Sequence, residues 1–166
     1  LSTGLSYIHT RQVSYSEIKK FLKIVAELGG IYATHMRDEK EGILDSIKET
    51  VAIAEETGVK TIINHLRPII GYEELFSEGM SLLSGKLKND DIYFNANPFD
   101  FSIIPLYSLL PKWAQHGSLE EMLPILDNPE HREKILQEIR DSKTDLSSVI
   151  IAEAKDNSAI IGKTLA

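Results

Sequence analysis

The first hundred residues predict an α/β fold, because short apolar runs alternate with longer amphipathic segments in the order strand, helix, strand, helix, strand, helix, strand. The connections between these segments are short, which favours parallel strands joined by right-handed helical crossovers. Two of the apolar runs end in a histidine, at His35 and His65. Three or four such repeats fit a segment of a closed barrel as well as an open doubly wound sheet.

Local signals mark the first helix and the strands on either side of it. Residues 1–8 are expected to close a strand and enter a loop. Ser14 and Glu17 have capping-box spacing, which predicts a helix start. Apolar residues follow at helical intervals, namely Ile18, Phe21, Leu22, Val25 and Leu28. A glycine pair ends this helix, and residues 31–34 are expected to form a short buried strand.

The second and third repeats follow the same pattern. A helix is expected over about residues 41–57, with Gly58 as its stop, and a strand is centred on residues 61–63. A third helix is expected over about residues 72–88. Its inward face is predicted to carry Leu75, Gly79, Leu82 and Leu83. Residues 92–96 are expected to form the last strand, which ends among asparagines and a proline.

The rest of the chain does not continue the alternation of strands and helices. We expect residues 1–100 to form a partial β/α barrel segment and residues 101–166 to form a small, mainly helical α/β domain inserted after it. The second part opens with an apolar cluster that prolines interrupt. Two helices are expected, over 119–126 and from the Asp-Asn-Pro start near residue 129 to residue 140. A further strand is expected at residues 149–152.

Composition excludes several classes of function. The formal net charge is −7, which argues against sequence-independent nucleic-acid binding and against docking on anionic membranes. No stretch approaches the apolar length that spans a bilayer. The chain has no cysteine, so it has neither a disulfide nor a thiolate metal site, and we expect a cytoplasmic protein. There is no Ser-His-Asp arrangement, and the GKT sequence near the end lacks the glycine-rich lead-in of a phosphate loop.

His35 and His65 are the candidate metal ligands. They end successive apolar runs, and the ends of parallel strands meet at one rim, where active sites collect. Neighbouring strands lie roughly 5 Å apart, so two imidazoles can reach one ion at about 2 Å each. The alternative is a satisfied histidine at a strand terminus, with Arg37, Asp38 and Glu39 in a solvated loop. A catalytic zinc needs about three protein ligands, and the possible additions are Asp38, Glu39, Asn95 and Asp100.

Two further residues are candidate substrate contacts. Arg67 lies two residues beyond His65, on the same side of an extended strand, and a guanidinium can clamp a carboxylate with two hydrogen bonds. Tyr7 can line the same pocket. The alternatives are a surface ion pair for the arginine and a packed aromatic side chain for the tyrosine. The other histidines are expected in loops or on a surface helix, exposed to solvent: His9, His116 and His131.

The segments GGIYATHMRDE, AEETGV and INHLR together resemble the N-acyl-D-amino-acid deacylase (D-aminoacylase) family of the amidohydrolase superfamily. GLSY, NPF, LLPKWAQHG, DNPEHREKI and IIGKTLA follow in the order of that family. The resemblance implies part of a TIM-type (β/α)8 barrel with a metal-dependent site at its mouth. It implies hydrolysis of the linear amide of N-acyl-D-amino acids, with small-molecule substrates, by a metal-activated water.

The resemblance also assigns roles to single residues. It implies that His35 and His65 are zinc ligands, in a parent enzyme with one or two divalent metals. Arg67 stands at the position of a lysine that holds substrate. The family's His-x-His pair, metal-binding cysteine and catalytic aspartate have no counterpart in the chain, so the catalytic residue is unknown. We therefore expect an internal fragment that is inactive alone and, with two assigned ligands, binds zinc weakly.

Departures from the family pattern leave a second hypothesis about the function open. The family's DxYPY stretch reads NANPF here, the serine before the second histidine is Asn64, and the lysine has become Arg67. Arginine and lysine are not equivalent at a carboxylate, so the substrate can differ from that of the family. A non-catalytic barrel homologue that serves as a binding or structural module is the alternative. A doubly wound nucleotide-binding domain is disfavoured because no glycine-rich loop follows a strand. The open sheet edges of a barrel segment predict self-association.

Overall fold

The computed structural model describes residues 1–86, 91–99, 101–115 and 117–166. The chain divides into two compact units, Leu1–Pro98 and Phe99–Ala166. In chain order, the first unit consists of β1 (Ser2–Gly4), α1 (Tyr15–Glu27), β2 (Ile31–His35), α2 (Ile43–Thr57), β3 (Lys60–Ile63), α3 (Glu73–Lys86) and β4 (Ile92–Phe94).

The strands form one four-stranded parallel sheet in the order β1-β2-β3-β4. Gly4 pairs with His35, Thr34 with Ile63, and Ile63 with Phe94, so the carboxyl ends of all four strands lie along one edge. The predicted parallel α/β class is therefore confirmed. A doubly wound sheet reverses its strand order at a switch point. The strands described here keep chain order, as a barrel segment does.

The helices begin and end where local chemistry favours it. The Ser14 hydroxyl accepts a hydrogen bond from the Glu17 backbone N–H at 3.2 Å and so caps α1. Gly58 ends α2 in the left-handed conformation, with φ +68°. Gly79 permits α2 and α3 to pack closely, because a Cβ at that position would lie 2.6 Å from Cδ1 of Ile47.

Two apolar clusters hold the sheet and helices of the first unit together. One contains buried side chains of β3, α2 and α3, and the other joins α1 to β2 and α2. Leu83 of α3 is fully buried in the first of these. The prediction that Leu82 also faces inward is wrong, since it is 41% exposed. On α1, Ile18 and Leu22 are buried, whereas Phe21 and Leu28 are exposed.

The second unit consists of short helical segments. Single 3₁₀ turns lie at Leu106–Leu109, Lys112–Ala114, Leu146–Ser148 and Ser158–Ile160. Its α-helices are α4 (Leu119–Asp127) and α5 (Pro129–Arg140). The expected strand at residues 149–152 is not formed. Instead, Ile150 makes one isolated antiparallel bridge with Thr164. Among the residues described, no helix is both long and apolar enough to cross a bilayer.

Candidate metal site

The two candidate histidines lie at the carboxyl edge of the parallel sheet. His35 is the last residue of β2. His65 lies two residues beyond the end of β3, in a turn, so the two positions are not strictly equivalent. The backbone N–H of Asn64 donates to the carbonyl of Thr34 at 2.8 Å, which carries the strand pairing up to the turn. Parallel pairing of adjacent strands therefore places both side chains at one edge.

The imidazole rings of His35 and His65 are in direct contact. Nδ1 of His35 lies 3.0 Å from Nε2 of His65, and either nitrogen can be the donor according to tautomer. The ring centroids are 4.5 Å apart and the planes are tilted by 54°. The sequence expectation that the two rings share one rim of the sheet agrees with this geometry.

Glu39 is the third member of the cluster. Its Oε1 lies 3.6 Å from Nδ1 of His65, and its Oε2 lies 4.0 Å from Nε2 of His35. One potential ligand atom from each of the three residues lies within 4.8 Å of the others. The Glu39 side chain is only 12% exposed. Its Oε1 is buried without a hydrogen-bond partner among the described residues.

Burial and charge shift the titration of all three groups. Burial lowers the pKa of His35 to about 4, and the charges of His65 and Arg67 act in the same direction. Burial likewise lowers the pKa of His65, with a further contribution from Arg67. Burial raises the pKa of Glu39 to about 7, although Arg67 opposes this shift. At neutral pH both imidazoles are therefore uncharged, with a ring lone pair available for a metal.

The turn after β2 brings Glu39 over the sheet edge. The backbone N–H of Asp38 donates to the hydroxyl of Ser46 in α2 at 2.9 Å. The carboxylate of Asp38 accepts from the backbone N–H of Lys40 at 2.8 Å. These two bonds fold residues 36–42 back toward the sheet. Among the described candidates Asp38, Glu39 and Asn95, Glu39 is the one that forms a cluster of potential ligand atoms with the two histidines.

Arg37 fixes the adjacent loop. Its guanidinium donates to both carboxylate oxygens of Glu49, at 3.0 and 2.8 Å. It also donates to the backbone carbonyls of Arg11 and Val13. The segment between β1 and α1 is thereby attached to the turn after β2 and to α2. This segment carries Tyr7, whose ring stacks on His35 with centroids 5.7 Å apart.

The candidate substrate contacts lie around this cluster. Tyr7 is 41% exposed and also stacks on His9, at 5.9 Å between centroids. Arg67 is half-buried, and its charge acts on both histidines and on Glu39, so it lies near the cluster. The assumption that Arg67 continues an extended strand beyond His65 is wrong. The strand ends at Ile63, and a turn follows it.

Asn95 has a different role from the one considered in the sequence. It follows β4, and its side-chain oxygen accepts a hydrogen bond from the backbone N–H of His65 at 2.6 Å. Spacing alone does not reveal this contact, because it joins the ends of two neighbouring strands. Asp100 and His116 lie outside the described residues. His9 and His131 are exposed, as expected.

Comparisons with known proteins find relatives that match part of the chain. No family model matches the sequence. The chain is 32% identical over 101 residues to D-aminoacylase of Alcaligenes xylosoxydans xylosoxydans, covering 60% of this chain and 21% of that protein. It is 27% identical over 64 residues to N-acyl-D-glutamate deacylase of the same organism, covering 39% of this chain and 13% of that protein.

Two solved structures of D-aminoacylase are also similar to this chain. A D-aminoacylase structure described as defining a novel subset of amidohydrolases matches with a TM-score of 0.53 at 32% identity, covering 59% of this chain and 21% of that chain. Another, which concerns the binuclear metal center of D-aminoacylase, matches with a TM-score of 0.53 at 31% identity over the same shares. The resemblance to the D-aminoacylase family is confirmed over about 60% of the chain. The chain spans about a fifth of the length of D-aminoacylase.

Proposed function

We propose that this chain supplies a metal-binding part of an amidohydrolase that cleaves the linear amide of N-acyl-D-amino acids or related compounds. The observation that carries the proposal is the 3.0 Å approach of the His35 and His65 ring nitrogens beside a buried Glu39 carboxylate. The similarity to D-aminoacylase over 101 residues supports the same reaction class.

The three side chains fit a divalent metal ion. Zinc accepts imidazole nitrogen at about 2.0–2.1 Å and carboxylate oxygen at about 2.0–2.2 Å. One ring nitrogen of each histidine and one oxygen of Glu39 lie within 4.8 Å of one another, so small side-chain shifts would bring all three to one ion. The buried Oε1 of Glu39 has no hydrogen-bond donor among the described residues, and a cation would satisfy it. With Glu39 as a third ligand, the chain is expected to hold zinc better than two histidines alone would.

The protonation states of the three side chains favour binding of a divalent metal ion. Two uncharged imidazoles offer lone pairs without first losing a proton, because burial holds the pKa of His35 at about 4. Burial raises the pKa of Glu39 to about 7 even though the charge of Arg67 opposes the shift, so a further positive charge at the site would favour the ionised carboxylate. A bound divalent ion lowers the pKa of its water toward neutrality and polarises the scissile carbonyl.

The remaining residues of the site bind and orient the substrate. Arg67 places a positive charge beside the cluster, and guanidinium recognises a carboxylate through two parallel hydrogen bonds. We assign it to the carboxylate of the N-acyl amino acid. The ring of Tyr7 stacks on His35 and covers one side of the site. The described residues contain no assigned proton-transfer group, so we expect the chain alone to hold metal without turnover.

Metal titration tests the proposal. Isothermal titration of the chain with Co²⁺ or Zn²⁺ should give one site whose affinity His35→Ala and His65→Ala each strongly reduce. His131→Ala is the matched control, because that histidine is exposed on α5. Equal affinity in all four proteins would overturn the metal site. Metal-dependent amide hydrolysis by the isolated chain would overturn the expectation that it is incomplete.

Self-association is a second part of the proposal. Tyr93 and Phe94 of β4 are 52% and 39% exposed, and β4 pairs only with β3 among the described strands. An open strand edge with exposed aromatic residues is a template for pairing with another copy. We also propose, from the absence of cysteine, that the parent protein acts in the cytoplasm.

A further inference from the structure

His65 adopts a backbone conformation that L-residues rarely take. Its φ is +42°, and no other non-glycine residue in the described ranges has a positive φ. This left-handed region is costly for a residue with a Cβ, and it persists only where the surroundings enforce it. The conformation turns the chain immediately after β3, and it belongs to a residue whose ring reaches His35 at 3.0 Å.

Asn95 makes four hydrogen bonds to the residues of this turn and its flanks. Its side-chain oxygen accepts from the backbone N–H of His65 at 2.6 Å, and its side-chain amide donates to the side-chain oxygen of Asn64 at 2.9 Å. Its backbone N–H donates to the carbonyl of Ile63 at 3.0 Å, and its carbonyl accepts from Leu66 at 2.8 Å. One residue after β4 therefore contacts four consecutive residues, from Ile63 to Leu66.

The chemistry of this contact suits asparagine. The side chain must accept from one backbone N–H and donate to one carboxamide oxygen, and only an amide does both at this length. Aspartate would keep the acceptor but lose the donor, and it would add a negative charge beside the cluster. Alanine would lose both side-chain bonds while keeping the two backbone bonds of β4.

We propose that Asn95 is a positioning residue that holds His65 in its left-handed turn and thereby sets the distance between the two imidazoles. This inference rests on the proposed function, because positioning matters only if His65 binds metal. The contact acts through the backbone of His65 and leaves its ring nitrogens unoccupied. Groups that orient a metal ligand from outside typically contribute about 10- to 100-fold to metal affinity.

The test compares three variants of the chain. Asn95→Ala removes both side-chain bonds, Asn95→Asp keeps the acceptor for His65, and Asn64→Ala removes only the partner of the side-chain amide. Asn157→Ala is the control, because it removes an exposed asparagine side chain in the second unit. Two quantities are measured for each: the Co²⁺ affinity by calorimetry and the hydrogen-exchange rate of the His65 amide by NMR.

We expect Asn95→Ala to weaken Co²⁺ binding about 10- to 100-fold and to accelerate exchange of the His65 amide at least about tenfold. Asn95→Asp should keep the amide protected, and Asn157→Ala should change neither quantity. An Asn95→Ala chain that is folded and binds Co²⁺ within about twofold of the original would overturn the inference. If Asn95→Ala does not fold, the inference is decided by Asn95→Asp, where loss of His65 amide protection would refute it.

The two proposals fail in different ways. If the original chain binds no Co²⁺, the proposed function is wrong, but the amide exchange of His65 still reports whether Asn95 holds the turn. If Co²⁺ binds through both histidines and Asn95→Ala leaves affinity and exchange unchanged, the proposed function stands and the positioning role is wrong.

Discussion

Replacing Arg37 with methionine should destabilise the first unit by about 2–4 kcal/mol. The guanidinium makes a bidentate pair with Glu49 at 3.0 and 2.8 Å and donates to the carbonyls of Arg11 and Val13. Methionine keeps most of the apolar stem but none of these bonds.

The magnitude follows from the exposure of the two partners. Removing one member of a buried ion pair costs about 3–5 kcal/mol, because the other charge is left without compensation. The Arg37 and Glu49 side chains are 25% and 21% exposed, so water recovers part of that cost. The two released carbonyls each add about 0.5–1.5 kcal/mol before they find water. Hydration of these partly exposed groups offsets roughly half of the sum, which leaves a net loss of about 2–4 kcal/mol.

Urea denaturation followed by circular dichroism measures this change. Lys48→Met is the matched control on α2, because its ion pair with Asp45 spans 3.8 Å and both side chains are exposed. We expect less than about 0.5 kcal/mol there. Adding Glu49→Gln to Arg37→Met should recover part of the lost stability. An Arg37→Met chain as stable as the original, or one no less stable than Lys48→Met, would refute the reasoning.

Three further predictions follow from the same structure. Metal affinity should fall about tenfold per pH unit below about pH 7, because the carboxyl of Glu39, with a pKa of about 7, then takes up a proton that the metal must displace. In calorimetric titrations Glu39→Gln should flatten this dependence of affinity on pH. An unchanged dependence would contradict the assignment of Glu39 as a ligand. Leu83→Ala should cost about 2–5 kcal/mol in urea denaturation because Leu83 is fully buried, and Leu82→Ala much less. Light scattering should show concentration-dependent association that Tyr93→Lys reduces, whereas a monomer at all concentrations would contradict it.

Much of the first unit follows from sequence periodicity. The alternation of strands and helices gives the parallel order directly, since strands joined by single helices must run the same way. The meeting of His35 and His65 follows as well, because the carboxyl ends of parallel strands share one edge. The signals are strong because β2 and β4 are short and largely apolar, and glycines stand between α1 and β2 and between α2 and β3.

The details of the site depend on turns, where sequence patterns carry less information. Glu39 is one of four candidate ligands in the sequence, and the bond between Asp38 and Ser46 of α2 selects it. The left-handed turn at His65 also escapes prediction, because histidine rarely adopts it. The expectation for Arg67 fails for the same reason, since it assumes that the strand continues past the turn.

The second unit shows where β-favouring residues mislead. Residues 149–152 are rich in branched apolar side chains, which predicts a strand. The backbone of Val149 and Ile151 does pair with residues 162–165, but the pairing is too short and irregular to extend beyond one bridge. Ile150 is 62% exposed, so burial adds little to hold a longer strand there.

The central claim is that His35 and His65 bind one metal ion together with Glu39. X-ray absorption spectroscopy of the chain loaded with one equivalent of zinc tests it most directly. The account predicts two imidazole nitrogens at about 2.0–2.1 Å in the first coordination shell, and the loss of one of them in His35→Ala. A spectrum with oxygen ligands alone, or one that His35→Ala leaves unchanged, would contradict it.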